Sequence, residues 1–249
     1  MERAAFGATA ALVIQALAAS LAWAAPSIPA YISAAVADSA RPAEDKQRDA
    51  DRKPAETLAF AGVRPGDIVI ELAPGKGYYT RLLSVVVGPK GKVYAVGAQP
   101  KPDAPPPPVQ AIAADPHYNN VAVSLQQIGN LKLPEGVDLV WTSQNYHDLH
   151  NIHDVDVAKV NSAFFAALKS GGTYFVLDHA AEAGAGARDT GTLHRIDEET
   201  VKQEVAAAGF KLVGESDILR TKSDPHTAKV FDPEIRGHTD QFLLKFKKP

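Results

Sequence analysis

The 249-residue chain has no cysteine, one methionine, two tryptophans and an aromatic share of only 7%. Without cysteine there are no disulfide staples, and the compartment stays undecided, because that absence suits an exported chain and a cytosolic one alike. A surplus of positive charge is also missing: 26 lysines and arginines stand against 29 acidic residues, a formal net charge of -3. Lys245, Lys247 and Lys248 make only a short basic end, so nucleic acid is not an expected partner. No internal repeat is visible. The length allows one good core and one or two domains, read here as one catalytic-type domain with an N-terminal lead.

What is present begins with an apolar stretch. Residues 4–25 are almost wholly apolar or small, with Arg3 ahead of them and Ala22-Trp23-Ala24 supplying the small-x-small pattern of a signal-peptidase site. The expectation is a signal peptide over 1–24 and an exported, periplasmic protein, touching a membrane only if that segment stays uncleaved. A helical lead over 25–53 follows, then the main domain over 54–249. In the lead, residues 39–53 interleave both signs of charge, which reads as a solvated helix face. Pro54 opens a helix that Gly62 stops.

The chain is organised around residues 67–80, Asp-Ile-Val-Ile-Glu-Leu-Ala-Pro-Gly-Lys-Gly-Tyr-Tyr-Thr. An apolar, β-branched run ending in Glu71 breaks into Ala73-Pro74-Gly75-Lys76-Gly77 before a helical pattern, giving strand, tight turn and helix N-terminus. Gly75 and Gly77 permit positive φ and close approach of a ligand to the backbone, while the helix offers free N–H donors. This is the layout of a nucleotide-type cofactor site. Residues 78–87 continue as helix and 92–96 as a second strand, completing a βαβ unit with parallel strands. An acid at the end of that second strand would grip ribose hydroxyls. Gly97 stands there instead, twenty residues past Gly77.

Residues 100–108 hold six prolines and read as a stiff surface spacer. Strands follow over 120–125 and 137–142, near-continuously apolar as a sheet covered on both faces requires. The fourth strand runs into Ser143-Gln144-Asn145-Tyr146-His147-Asp148-Leu149-His150-Asn151-Ile152-His153. Ligands of open α/β sheets sit beyond the carboxyl ends of strands, which makes this loop the best substrate-site candidate, with Asn145, Tyr146 and His147 around an acceptor and His147 a candidate general base. His147, His150 and His153 with Asp148 invite a metal reading, yet i, i+3, i+6 on one short element is not a usual ligand spacing, and no metal is expected. A helix over 155–168 is stopped by Lys169-Ser170-Gly171-Gly172, a fifth strand over 173–179 ends in Asp178-His179, and Asp197 caps a helix over 198–208. Strands at 211–219 and 239–246 close the chain as an antiparallel hairpin around a long loop, 220–238.

Residues 71–77 resemble motif I of the class I methyltransferases that depend on S-adenosyl-L-methionine (SAM), an acid followed by x-G-x-G-x-G, with Ala73 at the first glycine. The Leu168-Lys169-Ser170-Gly171-Gly172 turn and the Val205-Ala206-Ala207-Ala208-Gly209-Phe210 helix end are similar to those of that family. Arg52-Lys53-Pro54-Ala55-Glu56, Tyr146-His147-Asp148 and Leu193-His194-Arg195-Ile196-Asp197 resemble a bacterial group of exported methyltransferases. The resemblance implies a Rossmann-like α/β fold, a mostly parallel seven-stranded sheet with an antiparallel last strand and helices on both faces. It implies SAM held by Glu71, Ala73, Pro74, Gly75, Gly77, Gly97 and Asn145, with a small-molecule acceptor above the fourth strand. Two other readings stay open: a non-catalytic exported binding protein on this fold, and a nicotinamide-dependent oxidoreductase.

Overall fold

The computed structural model describes residues 28–249; the expected signal peptide lies outside them. The elements in chain order are α1 (Ala30–Val36), α2 (Ala43–Gln47), α3 (Asp49–Arg52), α4 (Pro54–Ala61), β1 (Ile68–Leu72), α5 (Tyr78–Val87), β2 (Lys92–Ala98), α6 (Val109–Ala114), β3 (Val121–Gln126), β4 (Val137–Ser143), α7 (Val157–Ala167), β5 (Leu168–His179), α8 (Glu198–Ala207), β6 (Lys211–Ser216) and β7 (Gln241–Lys247). The seven strands form one sheet in the order β3-β2-β1-β4-β5-β7-β6. β1 to β5 are mutually parallel and β7 runs antiparallel to both β5 and β6.

Alternate residues of each central strand serve opposite faces of this sheet, as the period of two demands. Val69, Leu139, Trp141 and Phe175 pack with α1, α4 and α5 on one face. Ile70, Val140, Tyr174 and Val176 pack with α7 and α8 on the other. Both faces are therefore apolar, which explains the unbroken hydrophobic runs. The strand order reverses between β1 and β4, the position where open α/β sheets leave a crevice.

Local signals set the helix ends. Pro54 sits at the start of α4, and Gly62 ends it at φ +81°. Asp156 accepts from the backbone N–H groups of Ala158 and Lys159 to cap α7, and Asp197 accepts from Glu199 to cap α8. Lys169-Ser170-Gly171-Gly172 does not interpose a turn: β5 already begins at Leu168, and Gly171 at φ +74° is absorbed beside a register shift opposite Val137 and Leu139.

The lead is also different from a solvated helix. Residues 39–53 fold into α2 and α3, with Arg41 and Asp45 buried. Ile32 is fully buried against the face formed with α5, and burial of one such side chain contributes about 1.5–3 kcal/mol. The apolar pattern of the lead is short, so its charges could not reveal that they are covered. Among the described residues no helix is long and apolar enough to cross a membrane.

Candidate active site at the β1–β4 crevice

The turn after β1 takes the backbone shape its glycines allow, with φ +57° at Gly75 and +80° at Gly77. A Cβ on Gly77 would lie 2.0 Å from Ile112 Cδ1, so this glycine serves the packing of α6 as well as the turn. Ala73 also has positive φ, +48°, and keeps by constraint the conformation a glycine would adopt freely. Glu71 lies at the floor, its carboxylate accepting a 2.6 Å hydrogen bond from Thr80 Oγ1. Burial outweighs that bond and pushes its pKa up to about 7.

Above the turn is a cavity of about 310 Å³ lined by Glu71, Ala73–Lys76, Tyr78 and Tyr79 from one side and Ser143, Gln144, Asn145 and Asp148 from the other. Asn145 spans the crevice: its Nδ2 donates to Leu72 O at 2.9 Å and to Ser143 O at 3.1 Å. Asn145 Oδ1 and Ser143 Oγ are buried and have no partner. An unpartnered buried polar atom costs about 1–3 kcal/mol, and the same lack occurs away from the cavity at Tyr118 Oη and Trp141 Nε1, so it is the lining by Ser143 and Asn145 that places them at the crevice. Beside it Gly97, Ala98, Pro107, Pro108, Val109 and Leu125 line a second, more apolar slot of about 320 Å³ that shares Ala73–Lys76. The proline-rich segment is exposed over most of its length, yet its last two prolines wall this slot. Gly97 has no positive φ, and a Cβ there would meet only Leu125 Cδ2, at 3.3 Å.

The lead closes the other side. Asp49 accepts a two-pronged interaction from Arg41, at 2.9 and 2.6 Å, and a 2.6 Å bond from Tyr78 Oη. Arg81 pairs with Asp45 at 3.0 Å. The Arg52 guanidinium lies 4.7 Å from the Tyr78 ring centre and donates to Gln144. These contacts hold α2 and α3 over the turn, and Arg48 and Arg52 line the cavity there.

A larger cavity of about 620 Å³ continues outward, bounded by Glu44, Asp51, Arg48, Arg52, Lys76, Gln144 and His179, and by Phe231 and Arg236 of the long loop. That loop is fixed from beneath by Arg195, which is fully buried, pairs with Asp224 at 2.8 and 3.0 Å and donates to Ala228 O. The sequence singles out Arg195 only within the Leu193–Asp197 run, and Asp224 not at all beyond the length of its loop. Burial drives the pKa of His179 down to about 4 despite the neighbouring Asp178 charge, so this ring is neutral, with Nδ1 2.8 Å from Thr239 Oγ1.

Tyr146 and His147 line neither cavity. Tyr146 is fully buried in the α7–α8 face; its hydroxyl donates to Glu204 and accepts from Asn161 Nδ2, both at 2.8 Å. His147 is buried, with its backbone N–H and Nδ1 each 2.8 Å from the Asp178 carboxylate. Burial depresses its pKa, but the Asp178 charge and contacts with Asp148 win and carry it to about 10. The ring is therefore an imidazolium at neutral pH, and an imidazolium has no lone pair for general-base work. The two residues turn into the protein between Asn145 and Asp148, both of which line the cavity, a choice the sequence pattern could not disclose.

No protein-family model and no curated protein matches the sequence. Solved structures do resemble it. A SAM-dependent methyltransferase from Aquifex aeolicus superposes with a TM-score of 0.60 at 18% identity, over 84% of this chain and 99% of its own. Geranyl diphosphate methyltransferase in complex with SAM gives 0.59 at 13% identity, over 87% and 95%. The [4+2]-cyclase SpnF gives 0.57 at 18% identity, over 83% and 81%. At such identities the likeness is one of fold: this chain has the seven-stranded Rossmann-like architecture of class I SAM-dependent methyltransferases.

Proposed function

We propose that the protein is a SAM-dependent methyltransferase that acts on a small polar molecule carrying negative charge. The observation that carries this reading is the cavity over the glycine turn, walled by Glu71 and the turn on one side and by Ser143, Gln144 and Asn145 on the other. Glu71, Ser143 and Asn145 would hold polar groups of the cofactor, the N–H groups behind Gly75 and Gly77 would add donors, and the slot of Gly97, Pro107, Val109 and Leu125 suits a flat apolar ring face. When bound, SAM supplies an electrophilic methyl group on a sulfonium. Transfer of that group asks the protein mainly to hold the acceptor in line and exclude water. Arg48, Arg52, Lys76 and Arg236 border the outer cavity against Glu44 and Asp51. None of those four bases makes an ion pair among the described residues, which favours an anionic acceptor.

Export through a signal peptide over 1–24, and a periplasmic location, belong to the same proposal and rest on the sequence pattern alone. A second reading, a binding protein that has kept the fold, is favoured by Gly97, where no side chain is present to grip a ribose. SpnF, named as a cyclase, has this fold without a methyltransferase's name, and a fold alone does not fix chemistry.

Thermal unfolding with added ligand tests the proposal. A ligand at a hundredfold excess over its Kd stabilises by about 2.7 kcal/mol, which for a chain of this size raises Tm by roughly 5–10 °C. That rise is expected with SAM and S-adenosylhomocysteine and not with NADH. A rise with NADH alone would replace this reading by the oxidoreductase one, and no rise with any of the three would remove both.

A further inference from the structure

His147, Asp148 and His194 come together from two distant parts of the chain, the loop after β4 and the segment before α8. His147 Nε2 is 3.3 Å from His194 Nδ1 and 3.3 Å from Asp148 Oδ1, and the last two atoms are 3.6 Å apart. All three lie within 4.8 Å of one another. We propose that these three side chains form a binding site for a divalent transition-metal ion.

The distances argue for it. Charge-assisted hydrogen bonds between such groups settle at about 2.7–2.9 Å, as His147 does with Asp178 at 2.8 Å. The three edges of the cluster are all longer and nearly equal. A tetrahedral ion with bonds of about 2.0–2.1 Å to nitrogen and oxygen sets its ligands roughly 3.3–3.4 Å apart, which is the spacing of this triangle.

The surroundings add two further observations. The Nδ1 edge of His147 faces the fully buried Asp178 carboxylate, so Nε2 is the nitrogen turned toward the triangle, and a bound ion takes the place of the Nε2 proton that the ring holds in the metal-free protein. A carboxylate behind a ligating imidazole is the usual outer partner that fixes its orientation. His194 is held at φ +57°, a backbone shape that a residue with a Cβ adopts at a cost and that concentrates at functional positions. Asp148 and His194 are partly exposed, giving an ion a way in. Of the histidines in the loop, His150 points instead to Glu204, and His153 is almost wholly exposed beside Asp154; neither joins the cluster.

Two imidazoles and one carboxylate select zinc, iron, cobalt, nickel or copper over magnesium or calcium, which prefer all-oxygen sites. Three protein ligands leave one tetrahedral position free, as in catalytic rather than structural zinc sites. Asp148 also lines the cavity over the glycine turn, so that free position is within the same functional region. The inference needs neither SAM nor an acceptor, and its test reads metal alone.

The untagged full chain, stripped with a chelator, is dialysed against Zn²⁺ with and without excess Mg²⁺ and titrated with Co²⁺ while the visible spectrum is followed. One Zn²⁺ per chain is expected, undisplaced by Mg²⁺, together with the d–d bands of low-coordinate Co²⁺. His194→Ala, on a partly exposed loop position, should weaken Zn²⁺ binding at least tenfold without lowering the Tm of the metal-free protein, while His153→Ala binds like wild type. Zn²⁺ bound equally by His194→Ala, lost in His153→Ala, or absent from the wild type would each overturn the site and leave the cluster as a hydrogen-bonded network.

Discussion

Two halves of one loop behave in opposite ways. Ser143, Gln144 and Asn145 border the cavity and leave buried polar atoms unpartnered. Tyr146 and His147, the next two residues, are turned into the protein, with the Tyr146 hydroxyl held by Glu204 and Asn161 and the backbone N–H and Nδ1 of His147 held by Asp178, which leaves His147 Nε2 toward His194 and Asp148. A pattern of polar and aromatic residues at a strand end identifies the place where ligands bind, but it does not say which side chains face the ligand. The lining of the cavity makes that distinction: Ser143, Gln144 and Asn145 border it, and Tyr146 and His147 do not.

Substitutions should therefore separate binding from stability along this line. The largest effect is expected at Gly77, where a Cβ would strike Ile112 and the φ of +80° disfavours any side chain. Overpacking at about 1–3 kcal/mol and left-handed strain at about 1–2 kcal/mol together predict that Gly77→Ala loses roughly 2–5 kcal/mol in a denaturant titration. Gly75→Ala, with open space around its Cβ, should lose only the strain. Equal losses at the two glycines would show that Ile112 moves aside freely.

Glu71 comes next. Its pKa rises from 4.5 in the unfolded chain to about 7 in the fold, so between those values the folded protein holds a proton that the unfolded one has released. Stability from this group is therefore highest below pH 4.5, falls as pH rises through the window, and is fully lost above about pH 7. The difference is roughly 3 kcal/mol. Glu71→Gln should remove that slope and gain stability at pH 8 while weakening SAM, whereas a pH profile unchanged by the substitution would place the carboxylate in contact with water.

On the closed half, Tyr146→Phe strips a hydrogen-bond partner from Glu204 and Asn161, and a loss of about 1–3 kcal/mol of stability is expected with ligand-induced stabilisation intact. The opposite result, full stability and no ligand response, would return Tyr146 to the ligand.

The fold was legible because its signals are local and agree with one another. The helix over 78–87 follows from its apolar spacing and the glycines at each end, and the parallel strands from their unbroken hydrophobic runs. The glycine turn was legible for the same reason, since φ above zero at Gly75 and Gly77 is a demand of the backbone. What stayed hidden depends on tertiary pairing. Arg41 and Asp45 read as solvated charges and are buried over the turn. Pro107 and Pro108 read as spacer and wall a slot. Lys169-Ser170-Gly171-Gly172 reads as a helix stop and is taken into β5. His194 stands in the Leu193–Asp197 run, and its 3.3 Å approach to His147, 47 residues away, is set by the tertiary fold. None of these contacts has a periodicity to announce it.

Gly97 gives the most direct test of the claim that the crevice binds SAM. A Cβ there meets only Leu125 Cδ2, at 3.3 Å, and a small shift of that side-chain tip admits it, so Gly97→Asp should fold and add a carboxylate at the end of β2. A hydrogen bond to a charged group contributes about 1.5–3 kcal/mol, at least a tenfold gain in affinity. Calorimetric titration of wild type and Gly97→Asp with SAM, side by side, should give saturable one-site binding in both and at least tenfold tighter binding in the variant. No heat from either protein at millimolar SAM would contradict the account.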